Sequence, residues 1–217
     1  MKQALILLSA FLVATSALAN ESILITAFEP FGGSFVNQSR SVAEALVKMI
    51  NTNGIGGKPV DAKLCILPTV YDKGALVAEK CYKAMAQKPK VVLSLGEAAC
   101  TIDLESRAKN WDSDGEDNNG NDRTGSEIVK DGPEYVSLGF PVDEMMGLVP
   151  PPYLHRVLRS TDMGGYVCNN TAYHLALYFK AEPTTYSFIH VPNSNCGAVK
   201  NANTNAQIIA TLLTTVL

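Results

Sequence analysis

The chain has 217 residues, of which 47% are hydrophobic and 18% are charged, and its formal net charge is −3. This composition predicts a compact folded domain and argues against intrinsic disorder. Because the charges nearly balance and form no basic stripe, we do not expect nucleic acid as a partner.

The first nineteen residues have the pattern of a signal peptide. Lys2 precedes an apolar run over residues 4–13, and residues 16–19 (SALA) have the small side chains of a signal-peptidase site. We therefore expect cleavage after Ala19, export to the periplasm or the medium, and one mature domain over residues 20–217. The alternative is an uncleaved membrane anchor. No later apolar run reaches the ~20 residues of a membrane span, so we expect no stable membrane insertion after cleavage.

Short apolar runs and helically spaced apolar residues alternate along the rest of the chain. Runs bounded by turn residues are typical of buried strands, and a 3.6-residue apolar period is typical of amphipathic helices. The predicted strands cover residues 22–27, 62–67, 90–95 and 186–191, and the predicted helices cover 39–50, 73–87, 153–160, 169–180 and 205–216. This alternation predicts a three-layer α/β/α sandwich around a mostly parallel twisted sheet.

Two local patterns refine this outline. Ser39 or Ser41 has the side chain expected at the N-cap of the first helix. Residues 111–133 are rich in Asp, Asn and Gly, which predicts a long loop that is solvated or forms a lid. The acidic residues of this loop do not follow the order of an EF-hand, so we expect no calcium site there.

Cys168 and His190 are the main candidates for chemistry. Cys168 is predicted at a strand-to-helix junction, where the helix dipole favours a thiolate and backbone N–H groups can stabilise an oxyanion. His190 ends a predicted strand, at the sheet edge where active sites of such folds gather. The pair predicts a cysteine hydrolase in which His190 is the general base. Glu105 is a candidate to orient His190, with Asp103 as its competitor. The alternatives are a buried structural cysteine and a structural histidine.

The segment FEPFGG, residues 28–33, follows the first strand. Phe28 and Phe31 are placed to hold a flat ring between two apolar faces, and the glycines allow close approach of the backbone to a ligand. The alternative is a strand-exit turn with core aromatic side chains.

The five cysteines leave four besides Cys168, enough for two disulfides in an oxidising compartment. Cys100 and Cys196 each follow a predicted strand near the expected site, so we favour that bridge. The alternative is that these cysteines are buried free thiols. No zinc-binding spacing is present, and we expect neither a metal nor a cofactor.

Together these motifs resemble the pyroglutamyl-peptidase I family, the pyrrolidone-carboxylate peptidases, from about Ile23 to Thr215. The matching segments are TAFEPFGG at residues 26–33, GYVCN at 165–169 and FIHVP at 188–192. The resemblance implies a phosphorylase/hydrolase-like sandwich, removal of N-terminal pyroglutamate from peptides, no cofactor, and a homo-oligomer. Peptides with an N-terminal pyroglutamate are the implied partners, and the predicted export would make the chain a divergent member.

The resemblance also implies residue roles. It implies a catalytic set of Cys168, His190 and Glu105, the last because ESRAKN at residues 105–110 keeps the Glu, Ala and Asn of the family form E-R-x-A-x-N. It implies that Phe28 and Phe31 hold the lactam ring and that Asn37 helps to order the site.

The chain departs from the family after the third strand. The family form there is G-Q-A-G-G-R, whereas residues 96–100 read GEAAC, so Glu97 replaces a Gln near the ring and the Arg is absent. This difference keeps two alternatives open: a catalytically impaired binding homologue, and a cysteine amidase for another cyclic or acylated N-terminus.

Overall fold

The computed structural model describes residues 20–113, 115–123 and 125–217. The predicted signal peptide, residues 1–19, lies outside the described residues. In the described ranges, no helix is both long enough and apolar enough to cross a membrane.

A six-stranded sheet forms the centre of the molecule, with the order β2-β1-β3-β8-β4-β7. Strands β2, β1, β3 and β8 are mutually parallel, β4 is antiparallel to β8, and β7 is parallel to β4. The sheet is therefore mostly parallel, as predicted. Its strands are β1 (Glu21–Phe28), β2 (Val60–Leu67), β3 (Val91–Ala98), β4 (Ile102–Glu105), β7 (Val157–Ser160) and β8 (Thr185–Pro192).

A separate antiparallel ribbon, formed by β5 (Arg107–Lys109) and β6 (Tyr135–Ser137), lies outside the main sheet. Among the described residues there are five α-helices: α1 (Gln38–Asn53), α2 (Lys73–Ala84), α3 (Val142–Leu148), α4 (Val167–Phe179) and α5 (Ala202–Leu212). Short 3-10 helices cover Pro151–Arg156, Gly197–Lys200 and Leu213–Thr215.

Helices cover both faces of the sheet. Side chains alternate between the two faces along each strand, so a single strand contributes to the core on each side. Ile23 and Ile25 of β1 belong to a core with apolar residues of α1, α3 and α5. Leu24 and Phe28 of the same strand belong to a second core with α2 and α4. Burial on both faces explains why these strands read as continuous apolar runs. The structure thus confirms the predicted α/β/α layers.

The predicted helix over residues 153–160 is wrong. Its first part belongs to the 3-10 helix Pro151–Arg156, and its second part is strand β7. Val157 is fully buried and pairs with Ile102 of β4. This long-range strand pairing overrides the local apolar pattern, which cannot report a partner so distant in sequence.

The environment predicted for Cys168 needs one correction. No strand leads directly into its helix: β7 ends at Ser160, and an irregular segment over residues 161–166 precedes α4. The helix also begins at Val167, so Cys168 lies within its first turn.

The N-cap prediction for α1 is also wrong, since the cap is Asn37 rather than Ser39 or Ser41. The Asn37 Oδ1 accepts a hydrogen bond from the Ser39 N–H at 3.0 Å. Ser39 itself is buried within the first turn of the helix.

Two disulfides cross-link the described chain, and they leave Cys168 as the free cysteine. Cys65 of β2 is bonded to Cys81 of α2, and Cys100 after β3 is bonded to Cys196 after β8. The favoured Cys100–Cys196 bridge is therefore confirmed. Because it joins the loops that leave β3 and β8, it fixes the sheet edge at which His190 lies.

Candidate active site

Cys168 occupies the second position of α4, and its side chain is half-buried. The positive end of the helix dipole and the unpaired N–H groups of a first helical turn both favour negative charge at this position. The predicted dipole environment is therefore present, although the segment that leads into it is irregular.

His190 and Glu105 form a buried pair beside Cys168. The Nδ1 of His190 donates to the Oε1 of Glu105 at 2.8 Å, and only 5% and 2% of their side chains are exposed. The bond to Nδ1 leaves Nε2 as the ring nitrogen for a second partner. The Cys168 Sγ and the His190 Cδ2 both lie within 3.0 Å of one point, the position of a Cβ built on Gly96, so the cysteine stands beside the imidazole in a Cys–His–Glu arrangement.

Strands that run in opposite directions bring this pair together. The antiparallel register places Asp103 of β4 directly opposite His190 of β8. Glu105, at the end of β4, then reaches the imidazole. The hydrogen bond goes to Glu105 and not to the competitor Asp103, whose pKa is raised by burial.

Burial by itself would lower the pKa of His190, because a charged imidazolium loses solvation. The hydrogen bonds with Cys168 and Glu105, together with their negative charge, outweigh burial and raise the pKa of His190 to about 10. The imidazole therefore keeps its proton across neutral pH. A protonated histidine beside a cysteine is the environment of a nucleophilic thiolate.

The two phenylalanines of the FEPFGG segment occupy different environments. Phe28 is 1% exposed, and its ring centre lies 6.4 Å from that of Phe188, which in turn lies 4.9 Å from His190. Phe31 is half-buried, with its ring centre 5.7 Å from that of Tyr166. Phe31 therefore lies near the surface beside Tyr166, whereas Phe28 lies in the core.

Asn37 and Glu97 hold the loop that follows β1. The Nδ2 of Asn37 donates to the Glu29 carbonyl at 3.0 Å, which ties this loop to the start of α1. The Oε2 of Glu97 accepts the Gln38 N–H at 2.5 Å. Burial raises the pKa of the half-buried Glu97 carboxyl, and the hydrogen bond from Gln38 opposes this effect.

Two asparagines after Cys168 anchor the first turn of α4, and both are fully buried. The Asn169 side chain bonds to the backbone of Lys109, in β5. The Nδ2 of Asn170 donates to the Oδ2 of Asp112 at 2.9 Å. Sequence reasoning missed these roles, although two consecutive asparagines in a helical first turn are a detectable signal.

A charged network lies behind this turn. Arg123 forms ion pairs with Asp72 at 2.5 Å and with Asp112 at 3.5 Å. Burial raises the pKa of Asp112 to about 6, while the bond from Asn170 and the charge of Arg123 oppose that rise. Over the ranges that the structure covers, no group of three or more His, Cys, Asp or Glu side chains is arranged to hold a metal ion.

The family model for pyroglutamyl peptidase matches residues 21–214. The chain belongs to this family. It is 32% identical over 180 residues to the pyrrolidone-carboxylate peptidase of Pectobacterium carotovorum, with 80% of this chain and 79% of the relative covered. It is also 32% identical over 197 residues to that of Gloeobacter violaceus, with 88% and 91% covered.

Solved structures of the family have the same fold. The pyrrolidone carboxyl peptidase from Thermus thermophilus superposes with a TM-score of 0.71 at 28% identity, covering 90% of this chain and 100% of that chain. Pyroglutamyl peptidase I of Bacillus amyloliquefaciens gives a TM-score of 0.76 at 24% identity, with 90% and 96% covered, and this likeness concerns the fold alone. The chain is thus a member of the pyroglutamyl peptidase family over nearly all of its described length.

Proposed function

We propose that this protein is a cysteine exopeptidase that hydrolyses the N-terminal pyroglutamyl residue from peptides. The observation that carries the proposal is the arrangement of Cys168, His190 and Glu105 in a chain of this family. The free thiol at a helix N-terminus, the protonated imidazole and the buried carboxylate each suit one role in nucleophilic catalysis.

In the first half of the reaction, the Cys168 Sγ attacks the carbonyl carbon that joins pyroglutamate to the next residue. Backbone N–H groups of the first turn of α4 stabilise the oxyanion. His190 then donates its proton to the departing amine, and the C–N bond breaks to leave a thioester. Glu105 keeps the imidazole oriented and stabilises its charged form, as in other three-residue catalytic sets.

In the second half, water attacks the thioester carbon and His190 accepts the proton of that water. The C–S bond breaks, pyroglutamate leaves, and the Cys168 thiolate beside the protonated His190 is regenerated. No step of this cycle needs a metal ion or an organic cofactor.

The substrate ring is proposed to lie beside Phe31, next to Tyr166 at the N-terminus of α4. Phe28 supports this position from the core, through its contact with Phe188. Glu97 is proposed to accept the lactam N–H, and Asn37 to order the loop that carries Phe31.

The test compares a fluorogenic pyroglutamyl amide with the matching prolyl and glutamyl amides, which lack the lactam carbonyl and the closed ring respectively. We expect release from the pyroglutamyl amide alone, and its loss in Cys168→Ala with an unchanged melting temperature. A folded protein that releases nothing from the pyroglutamyl amide, or a Cys168→Ala variant of comparable activity, would overturn the proposal.

We also infer that the protein works in an oxidising compartment outside the cytoplasm. The two disulfides support this inference, because such bonds rarely persist in a reducing cytosol. N-terminal sequencing of the protein from cell fractions tests it. Recovery in the periplasm or the medium with an N-terminus at Asn20 is expected, and an unprocessed cytoplasmic chain would contradict it.

A further inference from the structure

Gly96 lies directly against the catalytic pair. In the register of β3 and β8, Gly96 is the partner of His190. A Cβ built on Gly96 would lie 2.8 Å from the Cys168 Sγ, 2.8 Å from the Phe188 Cζ and 3.0 Å from the His190 Cδ2. Side-chain carbons do not approach other heavy atoms so closely, so a methyl group here displaces at least one of these three neighbours.

The glycine is required by space and not by backbone conformation. Gly96 lies within a regular strand and is absent from the glycines with positive φ. An alanine at this position keeps the strand geometry and adds one methyl group against the site. The effect of the substitution therefore reports on the side chains that it touches.

The three neighbours differ in how easily they move. Phe188 is fully buried in the core with Phe28 and Val92. His190 is 4% exposed and is held by Glu105 at 2.8 Å. The Cys168 thiol is half-buried and moves by rotation about a single bond. The thiol therefore yields first, and its rotation takes the sulfur away from His190.

We propose that Gly96 is a positioning residue, whose missing side chain leaves the space in which the Cys168 thiol stays paired with His190. The proposal deepens the proposed function and rests on it for the meaning of this pair.

Two readouts test the proposal without any peptide substrate. The first is the rate at which iodoacetamide alkylates Cys168 at pH 7, followed by mass spectrometry. We expect Gly96→Ala to slow alkylation at least about tenfold, since the sulfur moves away from the charged imidazole that favours its thiolate form. The second is the NMR titration of the His190 ring, which we expect to move to lower pH in Gly96→Ala.

Gly139→Ala is the matched control. A Cβ on Gly139 would lie 2.8 Å from the Thr185 Cγ2, as close a contact as at Gly96 but at the opposite end of β8. We expect this variant to keep the alkylation rate within about twofold, because a clash there touches neither Cys168 nor His190. A folded Gly96→Ala variant that is alkylated as fast as the unsubstituted protein would overturn the proposal.

A double variant covers the case in which Gly96→Ala does not fold. Phe188→Leu replaces the ring that a Cβ at position 96 would meet with a smaller side chain. Combined with Gly96→Ala, it relieves the clash with residue 188 and keeps the clash with the Cys168 Sγ. Compared with Phe188→Leu alone, the double variant is expected to show the same tenfold slowing. Equal rates would overturn the proposal. Since neither readout requires peptidase activity, this result stays separate from the outcome of the pyroglutamyl amide assay.

Discussion

Asn169 bonds to both backbone groups of Lys109: its Oδ1 accepts the Lys109 N–H at 2.9 Å, and its Nδ2 donates to the Lys109 carbonyl at 2.9 Å. A further bond from Nδ2 reaches the Trp111 carbonyl at 3.0 Å. The residue after Cys168 is thereby tied to the segment that follows Glu105. One amide side chain connects the residue next to the nucleophile with β5, the strand that follows the one carrying the carboxylate.

Asn169→Ala should therefore impair activity as well as stability. Removing this buried amide leaves backbone groups unpaired, at a cost of roughly 2–4 kcal/mol of unfolding free energy. We also expect kcat/KM to fall about tenfold or more, because the first turn of α4 loses its anchor. Urea unfolding and the pyroglutamyl amide assay measure the two effects.

Asn51→Ala is the control for this variant. Asn51 makes the same pair of bonds, to the Ala62 N–H at 2.8 Å and to the Ala62 carbonyl at 3.0 Å, at the far end of α1. It should lower stability and leave kcat/KM of the folded protein unchanged. An equal loss of kcat/KM in both variants would show that Asn169 has no particular role in the site.

Glu105→Gln should shift the alkaline limb of the activity profile to lower pH. The hydrogen bond and the charge of Glu105 help to raise the pKa of His190 to about 10, so loss of the charge lowers this pKa. Because His190 must carry a proton to protonate the leaving amine, activity then falls at a lower pH. We expect a shift of at least about one pH unit in the profile of kcat/KM.

Asp103→Asn serves as the comparison for Glu105→Gln, since Asp103 lies opposite His190 in the strand register but is not its hydrogen-bond partner. Its alkaline limb should move less than that of Glu105→Gln. A larger shift in Asp103→Asn than in Glu105→Gln would show that Asp103, and not Glu105, orients His190.

Asp112 should make stability depend on pH in the acidic range. Burial raises its pKa to about 6 in the folded protein, above the ordinary pKa of an aspartate, 3.8. The folded state therefore binds more protons than the unfolded state between these values, and this group makes the protein less stable as pH rises through them. Through this group, the free energy of unfolding at pH 7 should be lower than at pH 3 by on the order of 2–3 kcal/mol.

Asp112→Asn removes this titration. Urea unfolding between pH 4 and pH 7 should show that the unsubstituted protein loses stability relative to Asp112→Asn as the pH increases. Parallel curves for the two proteins would contradict the assignment of a raised pKa to Asp112.

The two phenylalanines near the site should respond differently to truncation. Phe28→Ala removes a fully buried ring and should cost about 3–5 kcal/mol of unfolding free energy. Phe31→Ala removes a half-buried ring beside Tyr166 and should mainly raise KM, by about tenfold, with a smaller loss of stability. Thermal unfolding and steady-state kinetics separate these results, and a raised KM confined to Phe28→Ala would reverse the assignment.

The local apolar pattern of the sequence was sufficient to predict the long elements of the fold. The strand predicted over residues 22–27 is β1 at Glu21–Phe28, and that over 186–191 is β8 at Thr185–Pro192. Both lie in the buried middle of the sheet, and most of their positions are apolar. Such segments carry their own signal because burial on two faces constrains each residue.

Local pattern failed where an element depends on a distant partner. Strand β4 has only four residues, and it is held by β7 on one side and by β8 on the other. Helix α3, with seven residues, also escaped prediction. Short elements carry too few residues to establish a period, so tertiary contacts decide their structure.

The residues of the site also divide into those that the local sequence predicts and those that only the folded structure reveals. Cys168 and His190 were found from their local context, whereas Glu105 emerged mainly through a family motif. The contacts of Gly96, Tyr166 and Asn169 with the site depend on the folded geometry. Asn37 was expected to order the site, and its role as the helix cap of α1 shows one way in which it can do so.

The Cys100–Cys196 bridge encloses Glu105, Cys168 and His190 within one covalent ring of the chain. The exposed residues 118–122 lie inside this ring, between the carboxylate and the nucleophile. A protease that cuts there yields a two-chain molecule, with Glu105 on one fragment and Cys168 and His190 on the other. The bridge keeps both fragments at a high effective concentration, so such a nicked protein falls apart only when it is also reduced.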